Sequence, residues 1–193
     1  MILTLAALTL GGTLTALDQV APPAAPAPAP APVSLTVSVG RGRTWDDEGI
    51  IGSGTSIGGG VEFRFRPKWT VGAEVERLGH HRNTPGLEWS GRTVFTSVNI
   101  AYRFAARGVS PYVGGGFGGA FHKGETIDRF GASQVTRERS STSTMEYGTV
   151  GVEIPVGDRF AVSPDFRITF CQPPDDSAPW AAMRFAVKAA YRF

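Results

Sequence analysis

The last thirteen residues of the chain alternate strictly between two kinds of side chain. From residue 181 to residue 193 every odd position is apolar, while the even positions alternate Ala with Arg or Lys. A β-strand points successive side chains to opposite faces, whereas a helix would mix the two sets on one surface. The segment therefore predicts a strand whose two faces meet different environments.

The same alternation recurs along most of the chain. Residues 93–104 repeat it, and both segments end in the tetrapeptide AYRF. Six further segments have the same period, at 33–40, 57–66, 69–76, 112–121, 149–154 and 160–170. No segment has a convincing helical period, so the sequence predicts an all-β fold with eight strands.

The connections between these segments alternate in length. Short ones lie at 67–68, 105–108 and 155–158, and long polar ones lie at 41–55, 78–92, 122–144 and 171–179. Short turns at one end and long loops at the other are typical of an antiparallel up-and-down meander. Closure of the meander into a barrel would remove its two exposed edges.

Each predicted strand has one face of large apolar side chains and one face of small and charged ones. A soluble barrel turns its apolar face inward around a ligand, whereas a membrane barrel turns that face to lipid. The lumen of eight strands is barely wide enough for side chains, which suits the Gly, Ala, Ser and Thr of the polar face. We expect the charged residues of this face to pair inside the lumen: Glu62, Arg64, Arg66, Glu74, Glu76, Arg103, Glu153, Asp165, Arg167, Arg184, Lys188 and Arg192.

Aromatic residues gather where the apolar face meets the short turns. They are Phe63, Phe65, Trp69, Tyr102, Phe104 and Phe160, with Tyr191 and Phe193 on the last strand. Rings at such a level form a girdle at the membrane–water interface. A water-facing polar face would account for the charges but not for the rings. The sequence therefore predicts an eight-stranded antiparallel up-and-down transmembrane β-barrel over residues 33–193, with a soluble lipocalin-like carrier as the less favoured alternative.

The first 32 residues differ from the rest of the chain. Residues 1–16 are apolar, as in the core of a signal peptide, and too short to cross a bilayer of about 30 Å comfortably. The basic residue that usually precedes such a core is missing, so the alternatives are an N-terminal strand or a misassigned start codon. Residues 21–32 read APPAAPAPAPAP, which favours an extended backbone. We expect a signal peptide over 1–17 and an Ala/Pro-rich periplasmic linker over 18–32, and cleavage after Ala16 stays open.

Composition and motifs exclude several classes of function. The net charge of +2 is too balanced for a nucleic-acid-binding protein. The only cysteine is Cys171, which we expect at an interface, so an internal disulfide or a multi-cysteine metal site is excluded. The pattern Gly114-x-Gly116-x-x-Gly119 lacks the helix that a dinucleotide site needs, and therefore indicates strand glycines.

The histidines carry no recognisable chemistry. We expect the adjacent His80 and His81 to form a surface loop pair, with weak metal binding as the alternative, and His122 to lie at the interface. Ser163 and Asp165, which could partner His122 in catalysis, lie on a strand that is not its neighbour. The sequence thus predicts no enzyme activity and no catalytic, cofactor-binding or metal site.

With its apolar leader, its alternating strands, the run PYVGGGFG at 111–118 and the terminal Tyr191-Arg192-Phe193, the chain resembles the small OmpA-like outer-membrane barrels of Gram-negative bacteria. The resemblance implies an outer-membrane location. It also implies that Tyr191 and Phe193 form the signal read by the barrel-assembly machinery, although Ala186 and Lys188 depart from the family pattern. It covers the barrel alone, and we expect no OmpA-type peptidoglycan-binding domain.

The function expected for such a barrel is non-enzymatic. We expect a polar, charge-paired lumen, and structural or adhesive work through the long external loops. The segment 122–144 is the longest and carries seven charged groups, so it is the best candidate to contact lipopolysaccharide or a host or matrix ligand. Outer-membrane lipid is the other expected partner. A narrow pore for small solutes is the alternative function.

Overall fold

A computed structural model of the protein describes residues 33–46, 49–84, 87–130, 133–174 and 178–193. The predicted signal peptide and linker lie outside these ranges. Within them, no helix is long and apolar enough to cross a membrane. The described residues form eight strands: β1 (Val33–Asp46), β2 (Gly49–Arg66), β3 (Trp69–Thr84), β4 (Leu87–Arg103), β5 (Ser110–Phe130), β6 (Ser133–Val156), β7 (Phe160–Gln172) and β8 (Trp180–Arg192).

The eight strands close into one antiparallel barrel in chain order, with β8 paired to β1. The predicted fold class is confirmed. The stagger of the strands can be followed from partner to partner around the barrel. Starting at Leu35 on β1, the cross-strand partners lead back to β1 at Trp45, ten residues further along the strand. The partners on the way are Val61, Ala73, Val98, Phe117, Glu146, Phe170 and Ala181. This stagger tilts the strands by about 40° from the barrel axis, so a hydrocarbon layer about 25 Å thick takes roughly ten residues of each strand.

The two faces of the strands are as the alternation predicts. Large apolar side chains on the outer surface are exposed, such as Val37, Ile57, Phe117 and Phe185, at 60% or more. Inward positions are buried and small or charged, as at Thr36, Ser97, Ala186 and Arg184. Exposed apolar surface on this scale marks contact with lipid or protein, so the outer face is fit for a bilayer.

The strands run further than the sequence predicts at the long-loop end. The segments 41–55, 78–92 and 122–144, expected as loops, are mostly strand: β1 and β2 remain paired to Asp46↔Gly49, and β3 and β4 to Thr84↔Leu87. The expectation was wrong because polar residues lie on both faces of a ladder that has left the membrane. Alternation is then lost, although the backbone stays paired.

Candidate functional site

The lumen contains two linked ionic clusters. In the cluster nearer the short turns, the Glu153 carboxylate accepts hydrogen bonds from Arg103 at 2.6 Å, Arg192 at 2.7 Å and Arg64 at 3.1 Å. Arg103 also lies 3.6 Å from Glu62, which accepts a bond from Lys188 at 2.6 Å. Four strands supply these groups to one point, where a single carboxylate is the shared acceptor of three guanidinium groups.

The second cluster lies further along the barrel axis. Arg184 donates to both oxygens of Asp165, at 3.0 and 3.1 Å, and also to Glu76. Arg167 donates through both of its terminal nitrogens to Glu74, one bond being 2.9 Å, and reaches Glu76 at 3.3 Å. Two-pronged arginine–carboxylate bonds of this kind fix both partners in orientation. The cluster therefore braces β3, β7 and β8 across the lumen.

Two tyrosines pack against these clusters, Tyr112 beside Lys188 and Tyr147 beside Arg167, and Gly151 and Gly116 make room for them. The Arg167 guanidinium lies 4.0 Å from the centre of the Tyr147 ring. A Cβ on Gly116 would lie 2.7 Å from the same ring and 2.5 Å from the Val98 carbonyl oxygen. The glycine run of β5 thus serves close packing in the lumen. This agrees with the expectation that these residues are strand glycines and not a dinucleotide site.

The structure brings together eleven of the twelve charged residues expected in the lumen. The exception is Arg66, which is exposed at the end of β2 and lies outside the ion pairs of the lumen. Position explains the difference, because Arg66 follows the last inward residue that still lies within the barrel.

Above the ionic clusters, toward the long-hairpin end, lies an apolar layer that the sequence does not reveal. It is formed by buried side chains with Trp180 packed against them, namely Leu78, Phe95, Ala120, Met145, Tyr147, Cys171 and Ala182. Cys171 is 1% exposed and faces inward, so its expected interfacial position is wrong. Apolar residues at inward positions are hard to recognise, because they break the period that identifies the lumen.

Two of the histidines, His80 and His122, lie in the lumen above this layer. His80 is buried on β3, where Nε2 lies 2.7 Å from the Thr93 hydroxyl and Nδ1 lies 3.3 Å from the Thr44 hydroxyl. Thr93 also contacts Nδ1 of His122 at 3.0 Å, and Trp89 stacks on the His122 ring. The surface loop pair expected at residues 80 and 81 is therefore wrong for His80, which faces inward. His122 is also turned into the lumen rather than to the membrane interface.

Catalytic or metal-binding geometry is not apparent in the described ranges. No group of three or more His, Cys, Asp and Glu side chains in those ranges is placed to hold a metal ion. The partners of His80 given above are hydroxyl groups, whereas a catalytic triad also needs a carboxylate to orient the imidazole.

Comparison with known proteins decides the family. The family model described as "Outer membrane protein beta-barrel domain" matches residues 4–193. The chain belongs to this family. It is therefore an outer-membrane β-barrel, and the soluble-carrier alternative is set aside. No curated protein matches the sequence.

Solved outer-membrane barrels share the fold at low sequence identity. Neisserial surface protein A is 14% identical with a TM-score of 0.62, and the match covers 83% of this chain and 97% of that one. Ail, the attachment invasion locus protein of Yersinia pestis, is 16% identical with a TM-score of 0.59, over 85% of this chain and 99% of that one. A major outer membrane protein from Thermus thermophilus has a TM-score of 0.57 at 15% identity, over 82% and 99%.

The residues expected in the aromatic girdle of this outer-membrane barrel lie at its short-turn end. Trp69 packs edge-on against Tyr102, and Phe160 against Tyr191, each with ring centres 5.0 Å apart. The exposed rings of Phe63, Phe65 and Phe104 lie at the same end of β2 and β4. The turns here are tight, with Gly108 and Gly157 at φ 71° and 72°. Barrels of this kind place short turns in the periplasm, so the long hairpins face the cell exterior.

The hairpin of β5 and β6 is the largest external feature of the barrel. Pairing between β6 and β7 stops at Thr144↔Gln172, whereas β5 and β6 continue for eleven further pairs, to Phe130↔Ser133. Eleven residues project roughly 35 Å along the strand direction. Among the described strands, none pairs with the other edge of β6 between Ser133 and Ser143. This stretch therefore presents exposed backbone as well as side chains.

Proposed function

We propose that this protein is a non-enzymatic, closed outer-membrane barrel that holds the β5–β6 hairpin at the cell surface for recognition of a host or matrix ligand. The length and the open edge of this hairpin carry the proposal. An unpaired strand edge is a template for an extended partner chain, and exposed side chains such as those of Val135, Arg137 and Glu138 would give selectivity.

The lumen supports a structural role over transport. The ionic clusters occupy the half nearer the periplasm, and the apolar layer around Leu78, Phe95 and Met145 lies above them. An ion or polar solute would have to displace paired charges and then cross a layer that offers few polar groups. We therefore expect no steady conductance from the purified protein in planar bilayers, and open channels would support the narrow-pore alternative.

The comparison with Ail points in the same direction. That protein is named for attachment and invasion, and a crystal structure shows it with the heparin analogue sucrose octasulfate. It shares the fold of this chain at 14–16% identity, so its ligand is a lead for screening rather than an assignment. Sulfated polysaccharides accordingly belong among the first surfaces to test.

Shortening the hairpin tests the proposal. Replacing residues 126–137 by Asn-Gly joins Glu125 to Glu138, which are already cross-strand partners, through a turn that suits a two-residue hairpin. The matched control replaces residues 46–49 by Asn-Gly and joins Trp45 to Ile50 on the β1–β2 hairpin. Both variants should keep the heat-dependent gel shift of a folded barrel.

The readout is attachment of bacteria that express each form to epithelial monolayers and to wells coated with heparin or matrix protein. We expect the wild type and the β1–β2 control to attach, and the β5–β6 variant to attach no better than cells with empty vector. Equal attachment by the β5–β6 variant, or no attachment by the wild type, would overturn the proposal.

We also propose that Tyr191 and Phe193 form the signal for the barrel-assembly machinery. Their rings pack edge-on with centres 5.0 Å apart on the outer face of β8, and the Phe193 amide donates to the Val33 carbonyl at 3.1 Å. The last residue thus joins the first and last strands at the point where the barrel closes.

A further inference from the structure

One carboxylate lies on the outer wall of the barrel among aromatic side chains. Glu146 of β6 is exposed and points outward, with Phe117 of β5 and Phe170 of β7 as its direct cross-strand partners. These two rings are 69% and 55% exposed, so they belong to the apolar surface that meets the bilayer. On β5 the apolar residues continue past this level to Phe121. Glu146 therefore lies within the long-hairpin margin of the apolar belt, where a charge without a partner is costly.

The immediate surroundings of Glu146 offer it no counter-charge. Along β6 the neighbouring outward residues are Gly148 and Thr144, and across the strands they are Phe117 and Phe170. Among the residues that the structure describes, no ion pair includes Glu146, in contrast to the carboxylates of the lumen. The carboxylate is thus available to a cation from outside the chain.

A pocket opens beside this carboxylate because one outward position of the wall is small. The row of cross-strand partners continues from Phe170 to Ala181 of β8 and then to Trp45 of β1, so these residues share the outer face with Glu146. Opposed side chains in such a row are about 5 Å apart. The short side chain of Ala181 leaves a recess between Phe170 and Trp45. The resulting pocket of about 470 Å³ is also lined by Glu146 and Phe117.

We propose that this pocket binds the ammonium group of an amphipathic amine, a cation with a single alkyl chain that enters the outer leaflet. The Glu146 carboxylate supplies the counter-charge. Aromatic faces attract ammonium groups, and they do so more strongly where water is excluded. The apolar belt below Phe117 and Phe170 receives the alkyl chain. A metal ion is less suited, because one carboxylate among aromatic rings offers too few oxygen ligands. The site lies in the membrane wall and does not depend on recognition by the β5–β6 hairpin.

The test uses the full chain refolded in micelles of an uncharged alkyl maltoside, with dodecyltrimethylammonium as the probe. Binding is followed by NMR through the indole N–H resonances of Trp45 and Trp180, which line the pocket. The indole of Trp69, which packs on Tyr102 at the short-turn end, is the internal reference. Dodecanol presents the same chain without the charge, and tetramethylammonium presents the charge without the chain. A gel shift on heating confirms that each variant is folded.

Two variants alter the pocket and a third is the matched control. Glu146→Gln removes the charge, and Ala181→Phe fills the recess. Glu138→Gln makes the same chemical change on the same face of β6, nearer the hairpin tip. We expect Glu146→Gln to bind the probe about fivefold more weakly than wild type, the effect of one charge near a lipid surface. Ala181→Phe should abolish the saturable shifts, and the control should bind within about twofold of wild type.

The wild type should bind dodecyltrimethylammonium more tightly than dodecanol, and tetramethylammonium should give no saturable shift. Equal affinity of the wild type for dodecanol, or unchanged affinity of Glu146→Gln for the probe, would overturn the assignment to an ammonium group. Saturable binding of tetramethylammonium would overturn the assignment to an amphiphile. Unchanged binding by Ala181→Phe, an equal loss in Glu138→Gln, or equal shifts of the Trp69 indole would overturn the pocket as the site.

Discussion

Glu153 should be the most costly single carboxylate to remove from the lumen. It accepts bonds from Arg103, Arg192 and Arg64 at 2.6, 2.7 and 3.1 Å, and its side chain is only 8% exposed. The substitution Glu153→Gln keeps the shape of the side chain but removes its charge. It therefore leaves three guanidinium groups close together without their common counter-ion.

The magnitude follows from burial. Removal of one partner of a buried ion pair costs about 3–5 kcal/mol, because the remaining charge stays desolvated. Arg103 keeps a second acid, Glu62, at 3.6 Å, so part of the charge remains compensated. We expect Glu153→Gln to lower the free energy of unfolding by about 3 kcal/mol, at the lower end of that range. An exposed pair would contribute less than about 1 kcal/mol.

The assay is urea unfolding of the barrel in lipid vesicles, followed by the gel shift between folded and unfolded forms. Glu138→Gln on the exposed part of β6 makes the same chemical change outside the lumen and should alter stability by less than about 0.5 kcal/mol. A loss of unfolding free energy below about 1 kcal/mol for Glu153→Gln would refute the interpretation that Glu153 holds together the cluster nearer the short turns. Equal losses for the two variants would refute it as well.

Two further predictions concern the terminal residue Phe193 and the packing of the strand glycines. Deleting Phe193 should leave synthesis intact but lower the heat-modifiable fraction in the outer membrane, and a normal folded fraction would remove its role in assembly. Gly116→Ala places a methyl group against the Tyr147 ring and the Val98 carbonyl and should cost about 1–3 kcal/mol in the same urea titration. Gly148→Ala, whose added methyl group meets no atom within 4 Å, should be close to neutral, and equal effects of the two would contradict the packing argument.

The barrel and its two faces could be predicted because a strand in a membrane has only two environments. Residues 181–193 show this most clearly, since each outward residue must suit lipid and each inward residue must fit a narrow lumen. The choice of partners inside the lumen could not be predicted in the same way. Glu62 and Lys188 pair although 126 positions separate them, and the register that brings them together depends on the closure of the whole barrel.

The features that could not be predicted lie where apolar and polar side chains do not alternate along the strand. His80 and Cys171 face inward near the external end, where the ion pairs of the lumen give way to large apolar side chains such as Leu78 and Phe95. The β5–β6 hairpin leaves the membrane and so has polar residues on both faces. Its strand structure depends on backbone pairing with β4 and on the hairpin itself, neither of which leaves a hydrophobic pattern in the sequence.

The assignment of faces to lipid and lumen is the claim on which the whole account depends, and β4 offers a test within two adjacent residues. Val98 is 47% exposed on the outer face, in register with Ala73 and Phe117, and lies four residues from Tyr102 of the girdle. Asn99 faces the lumen, where six basic residues meet five acidic ones, so one more carboxylate would balance the charge.

The most direct measurement is therefore the folded fraction of Val98→Arg and Asn99→Asp after refolding into liposomes, scored by gel shift against wild type. Arginine at a mid-bilayer position facing lipid costs about 2–4 kcal/mol, so Val98→Arg should fail to insert or insert poorly. Asn99→Asp should refold nearly as well as wild type. Normal insertion of Val98→Arg, an equal loss in Asn99→Asp, or a wild-type protein that folds as a stable monomer in plain buffer would contradict the assignment.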